Sequence, residues 1–198
     1  MRIFLIALVG LALLSGAAYA SVPDPDMCSV TPPDNMSAQR LIGVPYTSGS
    51  AAANLDIYIR SSDGAPISNA YVEVILNPSC NDPDPLCVCN NGVFTGYTSV
   101  TGYLRLNMKF GGCCRDLSSA IIKAEDTPIR AYDIVVSPDY NGATGNCAVQ
   151  LADFVYFSGN YGDCGVPCSN FSGDAAECCN LPDFVTFAST YGRGCTGS

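Results

Sequence analysis

The clearest alternation of apolar and polar positions lies in the middle of the chain. Leu55, Ile57 and Ile59 alternate with polar neighbours, which is the period of a strand buried on one face. Similar segments follow, with turn residues between them, at 71–76, 92–97, 103–110, 120–124 and 131–136. Short strands at this spacing predict a mainly β fold, with an antiparallel β-sandwich over residues 48–137.

A helical period occurs near the C-terminus. Leu181, Phe184, Val185 and Ala188 fall at i, i+3, i+4 and i+7, which gathers them on one face of a short helix. One such helix cannot bury an apolar face alone. We therefore expect two helices of this kind to bury these faces against each other.

The helical segment has a second copy thirty positions earlier in the chain. Seven of twelve positions are identical between the copies: Leu151/Leu181, Asp153/Asp183, Phe154/Phe184, Val155/Val185, Phe157/Phe187, Tyr161/Tyr191 and Gly162/Gly192. So many matches in so short a stretch indicate an internal repeat.

Oxygen-bearing side chains precede each helix, in what we call the first and second loops. The first set is Asp139, Asn141, Gln150 and Asp153, and the second is Asn170, Ser172, Asp174, Asn180 and Asp183. Calcium takes about six to eight oxygen ligands, and alternate positions of a tight loop that ends at a helical carboxylate supply them. The sequence therefore predicts Ca2+ in these loops, as one ion or two.

The duplicated loop and helix resemble a dockerin, a module of two calcium loops, each related to half an EF-hand. The matching pieces are residues 139–142, 151–154, 170–174 and 180–184. The resemblance implies that residues 138–198 form a small α-helical domain of paired EF-hand halves. It also implies a protein partner that docks at the start of each helix. The family often carries Ser-Thr-like residues there, whereas this chain has Leu151-Ala152 and Leu181-Pro182.

Both loops depart from the family pattern. Asp139 and Asp153 stand fourteen positions apart and Asn170 and Asp183 thirteen, whereas the first and last ligands of the family stand about eleven apart. Ala143 occupies a carboxylate position of the first loop, and an amide opens the second. Fewer charges weaken calcium binding. The alternative is that disulfides have replaced the metal and that the polar residues are turn formers.

Residues 63–74 and 98–106 carry a second resemblance. They are similar to bacterial Ig-like and carboxypeptidase-regulatory-like domains, in which a hairpin of this pattern precedes a strand of the second pattern. The resemblance implies an Ig-like sandwich. It implies no chemistry, because such domains serve as spacers, adhesins and accessory domains.

The start of the chain has the pattern of a secretory signal peptide over residues 1–20. Arg2 supplies the positive charge, an apolar run follows, and Ala18-Tyr19-Ala20 forms a cleavage pattern. We expect a mature chain from Ser21. Residues 21–47 form a lead rich in Pro and Asp, which we expect to be extended and irregular, with an edge strand at 41–46.

Twelve cysteines, with no histidine and no tryptophan, indicate an oxidising compartment. Six precede the tail, which is our name for residues 138–198, and six lie within it, so we expect three bridges in each domain. We expect the loop at 77–91 to be pinned by its own bridges. The Cys87-Val88-Cys89 spacing also resembles a metal–thiolate cluster, but a chain with a signal peptide and no histidine favours disulfides.

The charge balance and the missing histidine narrow the function. Eighteen acidic residues against nine basic ones give a net charge of −9. Such a surface repels nucleic acid and anionic membranes, and without histidine the usual hydrolase triads are absent. We therefore expect a protein that is not an enzyme and that has no membrane contact after signal cleavage.

The predicted function is a secreted, non-catalytic, calcium-stabilised module for binding or anchoring, at the cell surface or in an extracellular complex. The alternative is a structural subunit of an extracellular fibre or surface layer, in which the lead pairs with the sheet edge of the next copy. The partner is accordingly another protein or copies of the chain itself.

Overall fold

The computed structural model describes residues 21–31, 40–43, 53–77, 86–89, 93–172 and 178–195. The predicted signal peptide, residues 44–46 of the predicted edge strand, and Asp174 lie outside these ranges. The elements are β1 Ser29–Thr31, β2 Arg40–Ile42, β3 Asn54–Tyr58, β4 Tyr71–Leu76, β5 Cys87–Val88, β6 Val93–Tyr97, β7 Tyr103–Asn107, β8 Phe110–Gly111, β9 Cys113–Ala124, β10 Thr127–Val136, α1 Leu151–Gly159 and α2 Leu181–Thr190. Within the described ranges, neither helix has the length and apolar character needed to cross a bilayer.

The strands form two main sheets and one small one. The first has the order β1-β3-β7, the second has the order β2-β10-β9-β4-β6, and β5 pairs with β8. The prediction of a mainly β chain is confirmed. The described strand pairs within residues 48–137 are all antiparallel, whereas β2, which belongs to the lead, pairs with β10 in parallel.

Both main sheets contribute alternate side chains to one hydrophobic core. Leu55 and Ile57 of β3 belong to the same buried cluster as Val72 and Val74 of β4 and Ile122 of β9, and all five are at most 1% exposed. Each such side chain contributes about 1.5–3 kcal/mol by leaving water. This burial explains why the period of two in the sequence locates β3, β4 and β10, whereas the single strand predicted at 103–110 is two strands, β7 and β8, in different sheets.

The lead is more regular than predicted. Ser29–Thr31 pairs with β3 and Arg40–Ile42 pairs with β10, so each main sheet has an edge strand from the lead. The predicted edge strand is therefore confirmed over residues 41–42, and the expected irregularity is wrong for residues 29–31. These strands supply partners for backbone groups of β3 and β10 that would otherwise lie at exposed sheet edges.

Disulfides join the tail to the sheets. Cys87–Cys147, Cys89–Cys195 and Cys113–Cys168 cross between the two parts, and Cys164–Cys178 lies within the tail. The expectations of three bridges per domain and of a self-pinned loop at 77–91 are therefore wrong. Two further cysteines, Cys28 and Cys179, are buried free thiols.

A second buried cluster explains the crossing bridges. It contains Cys113 and Val136 from the second sheet together with Val149, Phe157 and Phe187 from the tail. The backbones of the sheets and the tail are also in contact, because the Gly112 N–H donates a hydrogen bond to the Asp139 carbonyl at 2.6 Å. The tail and the sheets therefore share a core, which brings their cysteines within bonding distance.

We expect a crossing bridge to stabilise the fold more than the local one. Replacing Cys113 and Cys168 by Ala opens a bridge with a sequence separation of 55, and replacing Cys164 and Cys178 by Ala opens one with a separation of 14. Loop-closure entropy predicts that the first pair costs about 1 kcal/mol more free energy of unfolding than the second. Urea titration of the two oxidised variants measures this, and an equal or smaller loss for the crossing pair contradicts it.

Candidate docking face and cation site

Each helix turns toward solvent the face that the sequence predicts to be buried. Leu181, Phe184 and Val185, predicted to be buried, are 61%, 40% and 59% exposed, while Asp183 and Phe187 are at most 1% exposed. The prediction that the two helices bury the Leu-Phe-Val faces against each other is therefore wrong. The buried positions of α2 are instead Asp183, Phe187 and Thr190.

A phenylalanine from each helix forms the actual contact. The rings of Phe157 and Phe187 stack with centroids 5.0 Å apart and an angle of 14° between their planes. Phe171, from the second loop, stacks on Phe157 at 5.8 Å. The apolar period misled the prediction because the stripe that turns inward also carries Asp153 and Asp183, whose carboxylates accept backbone hydrogen bonds at the helix starts.

The outward faces of the two helices match each other. Leu151 is 65% exposed and Leu181 61%, while Val155 is 61% exposed and Val185 59%. We call this surface the docking face, and it consists of Leu151, Phe154, Val155, Tyr161, Leu181, Phe184, Val185 and Tyr191. The only charged residues on α1 and α2 are Asp153 and Asp183, and both are buried. The docking face is thus apolar, uncharged and present in two copies.

A groove runs between the two copies. Its volume is about 440 Å³, and its lining comes from both helices and from Tyr161, two residues after α1: Phe154, Phe157, Ser158, Tyr161, Leu181 and Phe184. Contiguous apolar surface of this kind is rare on a soluble protein unless it meets a partner. One sequence signal points to this face. Each helix has more apolar positions than one buried stripe needs, and neither has an exposed charge to mark a solvent side.

The first loop brings two predicted ligands, Asp139 and Asp153, into the interior. They are 0% and 1% exposed. Asp139 Oδ1 accepts the Asn146 N–H at 3.1 Å, and Asp153 Oδ2 accepts the Gln150 N–H at 2.7 Å. The other oxygen of each carboxylate, Asp139 Oδ2 and Asp153 Oδ1, is buried without a hydrogen-bond partner among the described residues.

The electrostatics of this pair are unfavourable without a counter-charge. Burial raises the pKa of Asp139 to about 7, and the Asp153 carboxylate also raises it. Burial raises the pKa of Asp153 as well. Neither carboxylate has a salt bridge to the described part of the chain. A buried carboxylate that lacks a partner is costly when ionised, and a bound cation removes that cost.

The remaining first-loop residues organise the backbone. Asn141 Oδ1 accepts the N–H groups of Ala143 and Thr144 at 2.9 and 2.8 Å, which makes it a turn former. Gln150 is the N-cap of α1, and its side chain donates to Asn146 Oδ1 at 3.4 Å. Asn146 is absent from the predicted ligands, although its backbone N–H holds Asp139.

The second loop is arranged differently around Asp183. Oδ1 of this carboxylate accepts the N–H groups of Phe171 and Ser172, each at 2.6 Å, and Oδ2 accepts the Asn180 N–H at 2.8 Å. Asn170 is fully buried, and its Oδ1 accepts the Ser172 hydroxyl at 3.4 Å. Four predicted ligands therefore meet in one place, but both oxygens of the carboxylate are occupied by backbone donors.

The cysteine cluster is distinct from both loops. The sulfur atoms of Cys89, Cys147 and Cys195 lie within 4.8 Å of one another. All three belong to disulfides, Cys147 with Cys87 and Cys89 with Cys195. In the oxidised protein these sulfurs are not thiolates, so the cluster is a pair of adjacent bridges that holds the tail.

Comparison with models of protein families, with curated proteins and with solved structures found no match to this chain. The two family resemblances therefore stay predictions. The docking face and the two loops are the features of the molecule that bear on its function.

We expect the buried phenylalanine stack to stabilise the tail much more than the exposed face does. Phe157→Ala removes a ring that is 2% exposed and lowers the free energy of unfolding by about 3–5 kcal/mol. Val155→Ala, two residues away and 61% exposed, changes it by less than about 0.5 kcal/mol. Chemical denaturation of both variants measures the difference, and similar losses would show that the helices pack in another orientation.

Proposed function

We propose that this chain is a secreted, non-catalytic, calcium-stabilised binding module that anchors itself to a protein partner through the docking face. The observation that carries the proposal is the duplicated face itself. Six large apolar side chains on the two helices, and a tyrosine just after each helix, stay in contact with water. Exposure of this kind lowers solubility and contributes nothing to folding, so burial against a partner is its best explanation.

The docking face defines the chemistry of the partner. Phe154, Phe184 and Tyr161 offer aromatic surface beside a groove that suits an inserted apolar side chain. The chain as a whole carries a net charge of −9, while the helices expose no charge. A partner with an apolar centre and a neutral or basic rim therefore matches the face best.

Calcium in the first loop is the second part of the proposal. Asp139 and Asp153 each have a buried oxygen that no described donor satisfies, and hard oxygen donors of this type suit Ca2+. An ion bound only by the folded state raises stability. Asp153 stands in the first turn of α1, so the ion also fixes the start of the helix that carries one copy of the docking face.

The finer architecture belongs to the same proposal. We assign residues 48–137 to an Ig-like sandwich and residues 138–198 to a dockerin-like domain. The two sheets with a common core and the repeated helices support this assignment. Four described disulfides suit an oxidising compartment, which agrees with export to the cell surface or the medium.

The alternative, a fibre built by strand addition, has less support. The lead strands β1 and β2 already pair with β3 and β10. Donation to another copy would first break these pairs, or would have to use the opposite edges, β6 and β7. An anchoring module needs no such rearrangement.

Charge placed on the docking face tests the binding proposal. We expect the double variant Val155→Glu with Val185→Glu to lose its partner, because both positions are 61% and 59% exposed and a buried carboxylate at an interface is costly. Val100→Glu, at an 84% exposed turn, is the matched control. The measurement is photo-crosslinking from a probe at position 158, on extracellular material of the source organism, followed by mass spectrometry.

A protein that crosslinks to the wild type and to Val100→Glu, but not to the double variant, supports the proposal. Crosslinking that survives the double variant, or that the control abolishes equally, contradicts it. Sedimentation of the purified chain identifies the case in which the partner is a second copy, since only the double variant would then be monomeric.

Thermal melting of the protein in calcium and in chelator tests the proposed binding of Ca2+ in the first loop. At calcium concentrations about 100 times Kd, we expect about 2.7 kcal/mol of added stability. Asp139→Asn and Asp153→Asn should abolish this gain, while exposed Asp163→Asn should keep it. Because Asp139→Asn removes a buried charge, its melting temperature in chelator should equal or exceed that of the wild type. A calcium response that survives both loop variants contradicts the site.

A further inference from the structure

We infer that the second loop has replaced the cation by its own backbone, so that the tail binds a single cation in the first loop. The inference rests on the proposed calcium site at Asp139 and Asp153. It assigns Asp183 a role as an internal anion that organises the second loop, in place of a metal ligand.

The hydrogen bonds of Asp183 and Asp153 differ although the two residues are equivalent in the repeat. Asp183 accepts three backbone N–H groups, from Phe171, Ser172 and Asn180, at 2.6, 2.6 and 2.8 Å. The bonds found for Asp153 include the corresponding one from the helix start, Gln150 N–H at 2.7 Å, while its Oδ1 has no partner among the described residues. Among the described residues of the two loops, only the first loop has a buried carboxylate oxygen with no hydrogen bond.

Three N–H groups compete directly with a cation. Each presents a positive hydrogen to the carboxylate and stabilises its charge, as a metal ion would. A cation at Asp183 Oδ1 would have to displace the Phe171 and Ser172 N–H groups, and the Phe171 donor, which is buried, would then lose its acceptor. The second loop therefore loses backbone bonds on binding an ion, whereas the first loop gains a partner for two oxygens.

The first residue of each loop also favours a cation in the first loop over one in the second. Asp139 opens the first loop, and the buried amide Asn170 opens the second. Asn170 is also engaged by the Ser172 hydroxyl at 3.4 Å. The described part of the second loop thus offers one carboxylate that already accepts three backbone N–H groups, whereas the first offers two that each have an oxygen without a described partner, and divalent affinity rises with the number of carboxylates.

Two disulfides close the second loop where a metal would otherwise close it. Cys168 lies two residues before Asn170 and bonds to Cys113 of β9. Cys178 lies two residues before Asn180 and bonds to Cys164. These bridges and the Asp183 hydrogen bonds fix both ends of the loop. Removal of the cation should therefore loosen the α1 copy of the docking face and leave the α2 copy in place.

Calorimetric titration of the oxidised protein with CaCl2 tests the inference. We expect one ion per chain for the wild type, none for Asp153→Asn, and one for Asp183→Asn. The Asp183→Asn variant should also be less stable than the wild type, and by the same amount in calcium as in chelator. Two ions in the wild type would overturn the single-cation inference and leave the proposed calcium site intact. No binding at all would overturn the calcium site itself.

Amide NMR of the wild type gives a readout that does not depend on the folding of a variant. On addition of calcium to chelated protein, we expect the N–H signals of Asn146 and Gln150, which bond to Asp139 and Asp153, to shift. Those of Phe171, Ser172 and Asn180 should stay in place, because their bonds to Asp183 need no cation. Equal shifts in both sets would overturn the inference.

Discussion

The stacking of Phe157 on Phe187 sets the geometry of the tail. Each ring comes from the middle of one helix, and the two rings are almost parallel at 5.0 Å. Once these side chains turn inward, the positions two residues before each of them, Val155 and Val185, must lie outward, because a helix turns by about 100° per residue. Phe154 and Phe184, about 60° round the helix from the stacked rings, lie at the edge of the buried stripe and are 38% and 40% exposed. The contact that packs the tail thus also orients the docking face.

The same contact takes two aspartates into the interior. Asp153 and Asp183 lie one turn before the stacked rings, so both helices begin with a buried carboxylate. A protein can satisfy such a group with backbone donors or with a cation. In the second loop three backbone donors hold Asp183, whereas in the first Asp153 Oδ1 has no hydrogen-bond partner among the described residues. Our proposal assigns a cation to the first loop only, although seven of twelve positions of the repeat are identical.

The tail is part of the β structure and not a separate appendage. Val136 of β10 and Phe157 of α1 share one buried cluster, and the Asp139 carboxylate lies so close to the Gly111 backbone that a Cβ atom there would overlap it. Crossing disulfides add covalent links at Cys113, Cys87 and Cys89. A force applied at the docking face is therefore transmitted to the sheets, as the proposed anchoring role requires.

The sequence by itself determined both helices and the strands with alternating residues, but not β1. The strands follow from alternating residues such as Leu55 and Ile57, because a period of two places them on one face wherever the strand ends up. The repeat fixed both helices and the residues before them. Tertiary structure decided which helical stripe is buried. An aspartate in a sequence pattern predicts a solvent-facing position, whereas backbone donors allow it to be buried. It also decided the disulfide partners and the different hydrogen bonding of Asp153 and Asp183. Both depend on groups distant in sequence that only the packed chain brings together.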